Sequence, residues 1–191
     1  MNLEKNYKET IKNKSIVIVG NGGSILGQNK GRAINAFDEV VRFNYYKITG
    51  FEADVGTKTT IWFTCNCNIP TAKKKYNEVY FHSWEWNREK STCYKTIKQY
   101  QDNVINTKKN DVKQLAKLIP DYPHYGFSTG LIAIHILLRT YAHLHLIGFD
   151  WHLDKYDHHY GDNEPRGELH QPQLEWNYIL KLHHAGKISF L

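Results

Sequence analysis

Apolar residues recur along the chain with two periods, and the order in which those periods alternate sets the expected architecture. Residues 15 to 20, "SIVIVG", form an unbroken β-branched run ending on glycine, the pattern of a strand buried on both faces in a parallel sheet. A glycine-rich loop and a short helical or turn segment follow. Further strands are predicted at 39 to 44 ("EVVRFN"), 59 to 65 ("TTIWFTC") and 78 to 83 ("EVYFHS"). The stretch 104 to 119 carries apolar residues at helical spacing and stops before Pro120, which predicts a surface helix. Ser128 or Thr129 caps a helix of roughly four turns, and "HLHLIGF" at 143 to 149 is a strand. In "PQLEWNYILKLHHAG", Pro172 marks a first helical turn and Gly186 the position past its end, before "KISFL" closes the chain as a last strand. The alternation predicts one domain over residues 1–191, a Rossmann-like three-layer α/β/α arrangement with a mostly parallel sheet.

Composition narrows the setting. Of 191 residues, 41% are hydrophobic and 23% charged, enough for a core without disulfides, and no apolar stretch approaches the roughly 20 residues needed to cross a bilayer. The opening "MNLEKNYKETIKNKS" is polar and lysine-rich, without the apolar centre of an export signal. A cytoplasmic location is expected. Cys65 and Cys67 stand two apart in "TCNC", where a bridge would be strained, and are read as reduced thiols rather than a metal pair. The net charge of +6, with 11 histidines uncounted, favours phosphates, nucleotides or an acidic membrane surface. Lys73, Lys74 and Lys75 are read as a solvated face, and nucleic acid is not an expected partner, since no base-stacking motif accompanies them.

In an open parallel sheet, ligands lie beyond the carboxyl ends of the strands. Those ends offer Gly20 and Asn21, Asn44, His82 with Ser83, and Gly148 to Asp150. The loop "GNGGSILG" has the strand-to-turn form of a nucleotide fold but fails both common fingerprints. Ile25 stands where the dinucleotide motif needs glycine or alanine, Asn44 replaces its acidic residue, and no Gly-Lys-Ser or Gly-Lys-Thr ending completes a P-loop. Alone, the loop is equally a tight turn. Asn21 and Asn44 add neutral amides suited to phosphate or ribose. Ser128, Thr129 and Gly130 add hydroxyls and amides at a positive helix end. Together these residues outline a nucleotide-phosphate site. Trp84 and Trp86 suit either sugar stacking or core packing, and His143, His145, His183 and His184 are read as structural.

The order of these motifs resembles glycosyltransferase family 29, the eukaryotic-type sialyltransferases, in a short soluble form of bacterial or viral type. The long family motif is similar to "IVIVGNGGSILGQNKGRAINAFDEVVRFNYYKITGFEADVGTKTTIWF" and the short one to "STGLIAIHILLRTYAHLHLIGF". "HHYGD" is similar to the third motif and "HQPQLE" to the last. The resemblance implies a variant glycosyltransferase A fold and inverting transfer without a metal or other cofactor. The donor would be the cytidine monophosphate (CMP) form of sialic acid, or of a related 2-keto acid sugar such as Kdo. The acceptor would be a hydroxyl of a glycan such as lipooligosaccharide or capsule, with peripheral contact at the inner membrane.

By position, Asn21 and Asn44 would contact the nucleotide, Ser128, Thr129 and Gly130 would lie beside ribose and phosphate, and Gly148 would belong to the same site. His159, or else His158, with Tyr160 would face the leaving phosphate, and His170 would be the catalytic base. Glu175 would either orient His170 or complement its helix end. The chain departs from the family at Ile16 and Tyr141, where the family has its disulfide cysteines, and at Gly161, which replaces a tyrosine. The alternative is a non-catalytic nucleotide- or glycan-binding domain on the same fold.

Overall fold

The computed structural model describes residues 13–66, 68–82, 91–123, 126–151, 158–161 and 170–191. Seven strands form one sheet: β1 (Ile16–Val19), β2 (Glu39–Phe43), β3 (Ile61–Thr64), β4 (Glu78–Phe81), β5 (Val104–Asn106), β6 (Leu144–Ile147) and β7 (Ile188–Phe190). Their order is β5-β4-β3-β2-β1-β6-β7, and every pairing is parallel. The helices are α1 (Gly31–Asn35), α2 (Glu52–Val55), α3 (Ile69–Ala72), α4 (Thr92–Lys98), α5 (Lys109–Leu118), α6 (Thr129–Leu137) and α7 (Pro172–His184).

Side-chain alternation along β1 divides the core between two faces. Ile16 and Ile18 pack with Val112 and Leu115 of α5, Leu131 and Ile134 of α6, and Tyr178 and Ile179 of α7. Val17 and Val19 pack instead with Ile34 of α1 and Val55 of α2. Further out on that second face, Trp62, Val79 and Phe81 meet Ala72 of α3 and Ile97 of α4. Helices α1 to α4 thus cover one face and α5 to α7 the other, giving the three expected layers. Ile16 and Tyr141, at the family's cysteine positions, are both buried in the first cluster.

Several elements differ from the sequence reading, among them the short helices α2 and α3, which it did not predict. The predicted helix at 104 to 119 begins as strand β5, because Val104 and Ile105 pair with Val79 and Tyr80 of β4 before the helix starts at Lys109. Asp111 then accepts the Lys108 amide at 2.8 Å, which sets that later start. Helix α4 was not predicted; its cap is Ser91, whose hydroxyl accepts the Tyr94 amide. Three of the four histidines read as structural pin the edge strand: His143 Nε2 and His145 Nδ1 both lie 2.9 Å from Ser189 Oγ, and His183 Nδ1 is 3.1 Å from the Ile188 carbonyl.

From β1 the chain steps outward to β5 and then returns across the sheet to β6 on the other side of β1. The β1/β6 boundary is therefore the point where the winding reverses, and the loops at its carboxyl edge are where such folds place ligands.

Candidate active site

At that boundary two glycines let the main chains cross. Gly20 donates to the Ile147 carbonyl and Gly22 to the Gly148 carbonyl, both at 2.8 Å. A Cβ on Gly20 would stand 2.1 Å from the Gly148 oxygen, and Gly148 itself has φ of 71°. Gly148, expected among the ligand contacts, is thus committed to the crossing. A Cβ on Gly22 would lie 2.5 Å from Asp150 Cγ. The Asp150 carboxylate is buried against the loop, accepting the Ser24 amide at 3.2 Å and the Ser24 hydroxyl. The anion held by the glycine-rich loop is therefore the protein's own.

A measurable consequence follows for stability. Gly22→Ala is expected to cost about 2 kcal/mol by forcing a methyl against that carboxylate. In an Asp150→Gly background the same change should cost at least about 1 kcal/mol less, read from urea midpoints in a double-mutant cycle. Equal costs in both backgrounds would contradict the contact.

Asn21, next along the loop, donates from Nδ2 to the Tyr45 carbonyl at 3.0 Å. Its own carbonyl accepts the His159 amide at 2.8 Å, and Gly22 forms a bridge with His158. His159 is buried, with Nδ1 3.2 Å from the Asn21 carbonyl and Nε2 2.7 Å from the Lys47 carbonyl. Both ring nitrogens thus face main-chain oxygens, so in this arrangement His159 clamps the 158–161 turn onto the loop rather than offering a donor to an incoming phosphate. Tyr160 lies beside it, its hydroxyl donating to the Tyr45 carbonyl at 3.3 Å.

Burial holds the His159 imidazole below its ordinary range, as it does for His135 and His145. The unfolded chain therefore binds protons that the native state does not. The stabilisation is complete above the unfolded value of about 6.5 and is lost as pH falls through that value and the lower native ones. The urea midpoint should decline on acidification below about pH 6.5; a midpoint flat to pH 5 would contradict the burial of these rings.

Asn44 ends β2 in the left-handed region, with φ of 45°. Its amide donates to the Phe63 carbonyl at 2.8 Å, and its carbonyl accepts Trp62 Nε1 at 2.8 Å. The side-chain oxygen accepts both the Cys65 amide (2.9 Å) and the Cys65 thiol (3.4 Å). The Asn44 amide is thereby oriented, with Nδ2 as the donor turned away from Cys65. Burial pushes the Cys65 thiol up, against smaller opposing effects from Thr129 and Asn44. Gly130 is needed at the start of α6 because a Cβ would stand 2.7 Å from the Phe149 ring.

Ser128 caps α6, its hydroxyl accepting the Leu131 amide at 3.1 Å while donating to Glu175 Oε2 at 2.6 Å. Glu175 is almost wholly buried, and its carboxylate also receives the Ser128 amide (2.8 Å), the Tyr122 hydroxyl (3.0 Å) and Trp151 Nε1 (2.9 Å). The Tyr122 hydroxyl accepts the Gln171 amide at 2.9 Å, and burial pushes its pKa well up, so it stays a donor to the carboxylate. His170 Nδ1 lies 2.8 Å from the Gly126 carbonyl. A carbonyl can only accept, so Nδ1 carries the hydrogen, and in the neutral ring Nε2 is left with its lone pair. Glu175 therefore reaches His170 indirectly, through Tyr122, whose hydroxyl meets both the Gln171 amide and the Gly126 carbonyl, and its direct partners are at the helix cap.

Hydrogen bonds and chain adjacency thus join His159, Asn21, Tyr45, Asn44 and Cys65 into one group, and Ser128, Glu175, Tyr122 and the His170 segment into a second. Tyr122 and Trp151 were not singled out from sequence, while Asp150 was named only as part of a strand end and Cys65 only as a reduced thiol. Cys65 was the most legible of these, since it directly follows β3 and so stands at a strand's carboxyl end. Among the described residues, no three His, Cys, Asp or Glu side chains converge as metal ligands. Trp84, Trp86, Ser83 and Cys67 lie outside the described residues.

The family model for glycosyltransferase family 29 (sialyltransferase) matches residues 2–91, the segment that carries the loop, Asn21, Asn44 and Cys65. Over that segment, just under half of its length, the chain is similar to glycosyltransferase family 29. The chain is 32% identical over 129 residues to human beta-galactoside alpha-2,6-sialyltransferase 1, covering 62% of this chain and 30% of that protein. It is 41% identical over 63 residues to lactosylceramide alpha-2,3-sialyltransferase of Rattus norvegicus, covering 33% of this chain and 16% of that protein. The matched segments thus span less than a third of these relatives' own lengths.

Its fold matches the crystal structure of a mammalian sialyltransferase in complex with Gal-beta-1-3GalNAc-ortho-nitrophenol. The TM-score is 0.71 at 21% identity, over 96% of this chain and 71% of the other. A second mammalian sialyltransferase crystal structure matches with a TM-score of 0.70 at 20% identity, covering 93% of this chain and 68% of the other. At these identities the structures establish a shared fold.

Proposed function

We propose that the chain transfers sialic acid, or a related 2-keto acid sugar, from its CMP-activated form to a hydroxyl of an acceptor glycan. The observation that carries this reading is the His170 geometry. Its Nδ1 is anchored on a main-chain carbonyl and its Nε2 is left as a proton acceptor. The acceptor hydroxyl loses its proton to Nε2 as its oxygen attacks the anomeric carbon, and the anomeric C–O bond breaks with its electron pair going to the CMP phosphate. Attack opposite the leaving group inverts the anomeric centre.

Asn44 Nδ2 and the Thr129 and Gly130 amides at the start of α6 are the donors assigned to ribose and phosphate. Because these are neutral donors and a helix end, the departing monophosphate needs no cation, and the transfer is proposed to be metal-independent. The net charge of +6 suits an anionic donor, and a cytoplasmic enzyme making peripheral contact with a membrane-borne glycan is the proposed setting. The product's anomeric configuration, read by proton NMR, tests inversion; retained configuration would overturn it. Transfer measured in strong chelator tests metal independence; activity restored only by a divalent ion would overturn that part.

A further inference from the structure

Beside Asn44 stands one aromatic ring held on a fixed main chain. Tyr45 directly follows Asn44 and is 43% exposed. Its carbonyl is nonetheless tied down by two donors, Asn21 Nδ2 at 3.0 Å and the Tyr160 hydroxyl at 3.3 Å. Its ring meets Tyr160 edge-on, with centroids 5.4 Å apart and planes at 81°, and Tyr160 in turn stacks on His158 at 5.0 Å and 29°. Lys47, the nearby cation, lies over Phe51 instead, 5.6 Å from its centroid. An exposed ring on an anchored backbone, braced from the side by a second ring, has little freedom left to lose when a flat ligand lies on it.

We infer that Tyr45 is the stacking platform for the pyrimidine base of the donor nucleotide. The inference rests on the assignment of a CMP-sugar donor and adds to it the residue that takes the base. Asn44, one position earlier, supplies an amide suited to ribose or phosphate but offers no π-face. Tyr45 supplies the face, and base–aromatic stacking requires no particular exocyclic group. The ring lies beside Asn21 and Asn44, the amides assigned to the nucleotide, and that placement favours base over acceptor sugar.

Tyr45→Ala tests this cleanly, because both hydrogen bonds to Tyr45 use its carbonyl and survive the change. CMP and ribose 5-phosphate, which lacks the base, are titrated against the unaltered protein, Tyr45→Ala and Tyr45→Trp. The expected result is a loss of about tenfold in CMP affinity for Tyr45→Ala, recovery in Tyr45→Trp, and ribose 5-phosphate affinity unchanged. Unfolding midpoints equal to the parent's show that the fold is intact. CMP affinity of Tyr45→Ala within about twofold of the parent overturns the inference. So does an equal loss for ribose 5-phosphate, or an intact CMP affinity with a raised acceptor KM, which would give the ring to the acceptor sugar. If the unaltered protein binds no CMP, the donor assignment fails first and this inference with it.

Discussion

Replacing His170 with alanine is expected to lower transfer by about a hundred- to ten-thousand-fold while CMP affinity stays within about threefold of the parent. The Gly126 carbonyl fixes the Nδ1 hydrogen and so makes Nε2 the acceptor, and removing the ring removes the only base assigned to the acceptor hydroxyl. His170→Asn is the sharper control. An asparagine amide can still donate to the Gly126 carbonyl, which preserves the anchoring contact, but it brings no proton acceptor comparable to Nε2. Both variants should therefore be equally inactive although their local structures differ. Turnover that survives in either variant would move the base elsewhere. An unaltered protein that binds CMP but never turns it over would favour a non-catalytic binding domain on this fold.

The second large effect is expected at Glu175, and it is one of stability as much as activity. Its carboxylate is the common acceptor for the Ser128 amide, the Ser128 hydroxyl, the Tyr122 hydroxyl and the Trp151 indole. Glu175→Ala strands these donors in a buried site and should cost about 2–4 kcal/mol in urea unfolding. Glu175→Gln keeps the shape but turns an amide NH₂ toward donors, so it should recover only part of the loss. Because Tyr122 also receives the Gln171 amide, loosening this hub should disturb His170 as well, lowering kcat more than it raises the KM for the donor. A variant as stable as its parent would show that Glu175 is not the hub of this frame.

How far the sequence was legible depended on whether a residue's partner was local. The uninterrupted β-branched run of β1, the Ser128 cap and the Pro172 start are dictated within a few positions of chain, and the layers followed from their alternation. Strand β5 was misread because Val104 and Ile105 fit a helical spacing, and only their pairing with β4 decides against it. The glycine-rich loop, equally a tight turn when read alone, does hold an anion. The anion, however, is the carboxylate of Asp150, 126 residues beyond its partner Ser24, which no local pattern reports. Likewise Glu175 was placed correctly in the first turn of its helix, but its direct partners proved to be Ser128, Tyr122 and Trp151 rather than His170. The resemblance pointed to Asn44, Thr129 and His170; long-range hydrogen bonds determine which atoms of Asn44 and His170 are already engaged.

The most direct measurement is CMP release by the unaltered protein from a panel of CMP-sugars, with and without varied glycan acceptors. Acceptor-dependent release from CMP-sialic acid or a related CMP 2-keto sugar, matched mole for mole by sialylated product and lost in His170→Ala, is the expected result. No binding and no cleavage of any CMP-sugar would contradict the assignment.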